Sequence, residues 1–173
     1  GDLLSQRILG QPLAETPDVE QHYQQVVGKA KTAYGYKVTC KEDGDYLPAS
    51  FHGIRKGNGG MGFFEIQESY EYPGVYQWGG SWYLYDQLFL ISAYLHGIEQ
   101  AEEEMIWRTI LELDLGGTTH EHINTATGKP GKPSLGWNAA IYAIWDQLMQ
   151  EGKASNRYFE AVNQRMQQLL EQG

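Results

Sequence analysis

Apolar residues recur at three- and four-residue intervals through most of this chain, the period of a helix with one buried face. Val19, His22, Tyr23, Val26, Val27 and Ala30 share such a face. Thr16-Pro17-Asp18 supplies the start signals: a hydroxyl cap, a proline in the first turn and an acid near the positive end of the dipole. His22 on that face reads as a packed histidine. Trp82 to His96 is the next helix, with Trp82, Tyr85, Leu88, Phe89, Ser92, Ala93 and His96 on one side and Leu84, Ile91 and Leu95 on the other; Gly97 ends it. Glu99 to Leu113 follows, with Ala101, Met105, Ile106, Ile110 and Leu113 inward and Glu102-Glu103-Glu104 as a solvated face. Trp137, Ile141, Ile144, Trp145 and Leu148 mark a further stripe closed by Gly152. Ser155 or Asn156 caps the last helix, whose inner face is Tyr158, Phe159, Val162, Met166, Leu169 and Leu170.

Two stretches break the period. Gly1 to Gly10 reads as the end of a helix, as though the chain were cut from something longer. Tyr34 to Tyr76 has strand character at Tyr36-Lys37-Val38-Thr39-Cys40, a turn signal at Asp43-Gly44, a glycine-rich loop from Lys56 to Gly62 and a second short strand at Phe63-Phe64-Glu65-Ile66. The glycine-rich loop lacks the flanking strand, Lys-Ser/Thr pair and helix of a phosphate loop. The pattern predicts a mainly α domain of helical hairpins with a short β excursion near residues 36 to 66.

Composition narrows the function. The chain has 173 residues, enough for a single domain with a real core. A formal net charge of −9 argues against nucleic acid and an anionic membrane surface as partners, since both call for clustered Lys and Arg. The single Cys40 excludes an internal disulfide and a multi-cysteine metal site. No long apolar run predicts a membrane span, and the compartment stays open, leaning to the cytoplasm. With 5 Trp and 12 Tyr, the chain is supplied with side chains suited both to helix packing and to stacking on sugars.

The candidate chemistry sits in the polar loop Thr119-His120-Glu121-His122-Ile123-Asn124-Thr125-Ala126-Thr127-Gly128-Lys129-Pro130. Glu121 is its only carboxylate. It reads either as a solvated loop glutamate or as an acid or base displayed at a helix end. His120 and His122 flank it, but without further ligand residues they form no metal site, and no cofactor is indicated. Asp86 and Asp146, within apolar helices, are candidates to line a cleft or to pair with a neighbour.

Gln77-Trp78-Gly79-Gly80-Ser81-Trp82, then two helices, then E-x-x-N-x-x-T-G-x-P from Glu121, then Gly136-Trp137-Asn138-Ala139-Ala140, resembles the C-terminal part of (α/α)6-toroid glycoside hydrolases. These include processing α-glucosidases, trehalase-like enzymes and amylo-α-1,6-glucosidase-type proteins. The resemblance covers about residues 74 to 146, and Asn124-Thr125 stands where the family often has an Asp-Pro or Asn-Pro pair. It implies that residues 1–173 are the C-terminal half of a larger toroid, completed by its other half or by a second copy. It implies that Glu121 is the general base of an inverting hydrolysis. Gln77, Trp78, Trp82, Asp86, Trp137 and Asn138 would contact an oligosaccharide or glycoside or line its cleft. Inversion needs two carboxyls ~6.5–9.5 Å apart, and the acid would come from the absent half. The alternative is a non-catalytic carbohydrate-binding or helical interaction domain.

Overall fold

The structure, a computed structural model, describes residues 19–37, 80–133 and 136–172. Five helices dominate them: α1 (Val19–Ala30), α2 (Tyr83–Leu95), α3 (Gln100–Gly116), α4 (Gly136–Gln150) and α5 (Arg157–Gln172). A two-stranded antiparallel sheet, β1 (Lys31–Thr32) and β2 (Gly35–Tyr36), follows α1 directly. The chain is therefore mainly α with a short β excursion. The excursion begins earlier than the pattern suggests, because Thr32 closes the turn with its own side chain. Its hydroxyl donates to Gly35 O at 2.8 Å and accepts from the Tyr34 N–H at 3.0 Å. Of the expected strand residues, Tyr36 lies in β2 and Lys37 bridges to Ser81. Thr16-Pro17-Asp18, the segment from Val38 to Gly79 and the amino-terminal helix end lie outside the described residues.

α2 packs on α3 as a hairpin, α4 lies beside α2, and α5 lies beside α3. Aromatic contacts close the square: Trp145 and Tyr142 on α4 meet Tyr158 on α5, with ring centroids 5.6 and 6.3 Å apart. Tyr83, Leu90, Ile91, Met105, Ile141, Trp145, Tyr158 and Val162 form the shared core. Each large apolar side chain removed from water there contributes about 1.5–3 kcal/mol. Glycines in left-handed backbone stop the helices, as at Gly97 (φ 90°) after α2 and Gly117 (φ 69°) after α3.

The core contains more polar groups than periodicity alone can locate. α2 turns Tyr83, Asp86, Gln87, Leu90 and Ile91 inward, so Tyr85, expected on the packed side, is 53% exposed. α3 buries Glu102, Arg108, Thr109 and Glu112 beside its apolar residues. Glu102-Glu103-Glu104 is accordingly no solvated run. Glu102 accepts from the Ser155 hydroxyl at 2.5 Å, and Glu104 binds Lys31 and accepts from the Tyr36 hydroxyl at 3.0 Å. Only Glu103 is exposed, where it pairs with Arg157. His22 is exposed rather than packed, and so is Asp146, which accepts from Gln150 at 2.7 Å. On α5 the inner face ends early: Met166 and Leu170 are exposed. Between the helices, Tyr83, Thr109 and Tyr158 join hydroxyls at 3.0–3.2 Å, with Gln87 donating to Thr109 at 3.1 Å. This knot satisfies groups that burial would otherwise leave costly.

Candidate functional site

The loop between α3 and α4 is a folded hairpin. His120 bridges to Pro133 and Ile123 to Pro130. Glu121 N–H donates to Lys132 O at 2.7 Å, Gly131 N–H to His122 O at 2.8 Å and Asn124 N–H to Lys129 O at 2.9 Å. At the tip, Asn124 Oδ1 accepts from the N–H groups of Ala126 and Thr127 at 2.8 and 3.0 Å, the geometry of an Asx turn. Gly128 then takes φ 73°, and a Cβ there would run into the Tyr34 ring. A Cβ on Gly131 would likewise overlap the His122 ring. Asn124, Gly128 and Gly131 thus have backbone or packing reasons for their positions.

The hairpin is fastened at both sides. Ser81 and Ile123 exchange backbone hydrogen bonds at 2.9 and 2.8 Å, which sets the entry to α2 beside the loop. Asn138, in the first turn of α4, donates its side-chain amide to His120 O at 2.9 Å. The Trp82 ring, at the start of α2, lies 5.9 Å from the His122 ring and 5.7 Å from that of Tyr85. Trp82, the Glu121 loop and Asn138 therefore come together at one end of the helices. Gln77 and Trp78 lie outside the described residues.

Glu121 is not a solvated loop residue: it is 7% exposed, and its carboxylate comes to 4.0 Å from His122 Nδ1. A loop rich in polar residues thus still buries its one acid. Asp86 and Asn138 are buried as well, and both hold structure. Asp86 Oδ2 accepts from Arg108 Nε at 2.6 Å, from the Ser81 hydroxyl at 2.5 Å and from the Tyr36 N–H at 3.4 Å. These two residues stand behind the loop. Trp137 is 49% exposed and is the one open aromatic among the expected sugar-contacting residues that the structure describes.

The unforeseen element is the charge network behind the loop. Arg108 lies between Asp86 and Glu112, with Nη1 2.6 Å from Glu112 Oε1. Glu112 Oε2 accepts from the His120 N–H at 3.0 Å and faces His120 Nδ1 at 2.7 Å. A carboxylate offers acceptors only, so the imidazole proton sits on Nδ1. Burial pushes the Asp86 carboxyl up, and Arg108, Ser81 and the Tyr36 N–H pull against it. Burial also works against the Arg108 charge, but Asp86 and Glu112 outweigh it, so the guanidinium holds its proton more tightly than usual. The Tyr83 ring covers the guanidinium with its centroid 5.5 Å from Cζ. The Glu112 and Arg108 spacing of four along α3 was the available sequence signal.

Among the described residues no three His, Cys, Asp or Glu side chains assemble as a metal site, and no helix is long and apolar enough to cross a membrane. No protein family, curated protein or solved structure matches this chain.

Proposed function

We propose that this chain is the C-terminal portion of a toroid glycoside hydrolase in which Glu121 is the general base of an inverting hydrolysis. The observation that carries the reading is the fastening of the Glu121 hairpin to Ser81 on one side and Asn138 on the other. It brings the described residues of the three segments that resemble the family together, beside Trp82. α2 lies beside α4 and α3 beside α5, an arrangement of paired helical hairpins.

In this reading Glu121 deprotonates the water that attacks the anomeric carbon. A substrate hydroxyl or water must reach its carboxylate within hydrogen-bond range, ~2.6–3.2 Å. Asp86 and Glu112 are both ion-paired to Arg108, so neither is the partner acid. The resemblance draws that acid from the other half of the toroid or from a second copy.

The test is hydrolysis of a panel of α- and β-linked disaccharides by the longest natural form of the protein. Glu121→Gln should lower kcat by about 10²–10⁴ while leaving the helical circular dichroism unchanged. Equal rates for the two forms end the general-base assignment. A second reading, a non-catalytic carbohydrate-binding or helical interaction domain, is favoured by the exposed rings of Trp137 and Tyr85 and the screening of Glu121. Under it, sugar binding depends on Trp137 and is indifferent to Glu121→Gln.

A further inference from the structure

We propose that Glu112 is the positioning residue of this site, a buried clamp that sets the Glu121 hairpin through His120. This rests on Glu121 being the functional carboxylate. Glu112 is fully buried on α3, and each of its two oxygens has a separate task. Oε1 binds Arg108 at 2.6 Å, which in turn binds Asp86 on α2. Oε2 binds both the backbone N–H and the ring of His120. The carbonyl of His120 is held by Asn138 from α4.

His120 is therefore fixed at its N–H, its ring and its C=O by side chains from two helices. The next residue is Glu121, whose own N–H is bound to Lys132 O. The peptide group before the Glu121 Cα is thus held at both its C=O and its N–H, and beyond the Cα His122 O accepts from the Gly131 N–H at 2.8 Å, so the direction of the Glu121 Cα–Cβ bond follows from α3, α4 and the hairpin together. A base must be placed to a fraction of an ångström, and a loop alone does not give that precision. The His120 ring also packs close to the Gly116 backbone, where a Cβ would stand 3.1 Å from Cε1 and Nε2.

Glu112→Gln separates the two tasks. An amide has one oxygen, so either Arg108 or His120 must then face an N–H₂ group. The full chain should show faster amide exchange at Glu121, Ile123, Asn124 and Gly131, by on the order of tenfold or more beyond any rise in the slow amides of α2 and α5. In the longest natural form, kcat should fall about ten- to hundredfold with KM nearly constant. A uniform rise in exchange, or none, overturns the clamp.

If Glu112→Gln does not fold, a pair at His120 decides. Asparagine can place its amide N–H where Nδ1 stands, and leucine cannot. His120→Asn should keep the wild-type exchange of the hairpin and His120→Leu should loosen it; equal exchange in the two overturns the proposal. The exchange readout is independent of hydrolysis. Selective loosening in a protein whose every form lacks hydrolytic activity sinks the glycosidase reading and leaves the clamp standing.

Discussion

Gly35 presses its backbone against the Ser81 side chain. A Cβ on Gly35 would overlap Ser81 Oγ and stand 2.7 Å from both Arg108 Nε and Asp86 Oδ2. Its φ of 106° is also a conformation that side chains resist. Gly35→Ala should therefore cost about 3 kcal/mol, read as a lower urea midpoint. Gly28, inside α1, has open space around it. Gly28→Ala should raise stability by about 0.5–1 kcal/mol. Equal effects at the two positions would contradict the packing described.

Arg108→Met should be among the most destabilising single changes in the chain. It strands Asp86 and Glu112, two buried carboxylates whose common partner is gone. Losing one member of such a network costs about 3–5 kcal/mol, more than the same side chain would at the surface. Chemical denaturation measures it. A loss under ~1 kcal/mol, the value of an exposed pair, would show that the network is solvated.

Alkali should unfold the chain through its tyrosines. Burial and the nearby Glu104 push Tyr23 up to about 12 from the ordinary 10.0. Burial pushes Tyr36, Tyr83 and Tyr158 up as well. Raised values mean that the folded chain keeps protons that the unfolded chain releases. This part of the stability is whole below pH 10.0 and is lost as pH climbs towards 12. Tyrosinate absorbance and helical circular dichroism followed together should show the late-ionising tyrosines appearing as the helices melt. Their ionisation with helices intact would refute the burial.

Two residues of α5 should respond unequally to loss of apolar surface. Leu170 is 80% exposed, so Leu170→Gln should change stability by no more than about 0.5 kcal/mol. Val162 is buried in the shared core, and Val162→Ala should cost about 1–3 kcal/mol. Thermal denaturation of the two variants checks the pair.

The helices were legible in the sequence because Gly97 and Gly152 stop them and Trp145, Ile141 and Leu148 recur at helical spacing. The faces were less so. Asp86 and Glu112 point inward because Arg108 binds both, and Gln87 because it donates to Thr109 and Met105 O, whereas a hydrophobic count assigns such residues outward by default. Tyr85 took the core place that belongs to Tyr83 for the same reason. The meeting of Trp82, the Glu121 loop and Asn138 was legible from the order of the segments. The role of Asn138 was not, since holding His120 O needs a partner eighteen residues away in the chain, with no local pattern between them.

Ser81 has bridge partners on both sides, Lys37 and Ile123, each about forty residues away along the chain. Helices close their bonds between near neighbours, whereas this junction must wait for three distant stretches to find one another, at an entropic cost that grows with the loops enclosed. The order of assembly follows: helical hairpins first, the end bearing Glu121 last. Pulse-labelled exchange during refolding should find the Ser81 and Ile123 amides among the latest protected. A chain caught partway would then have its helices and no site.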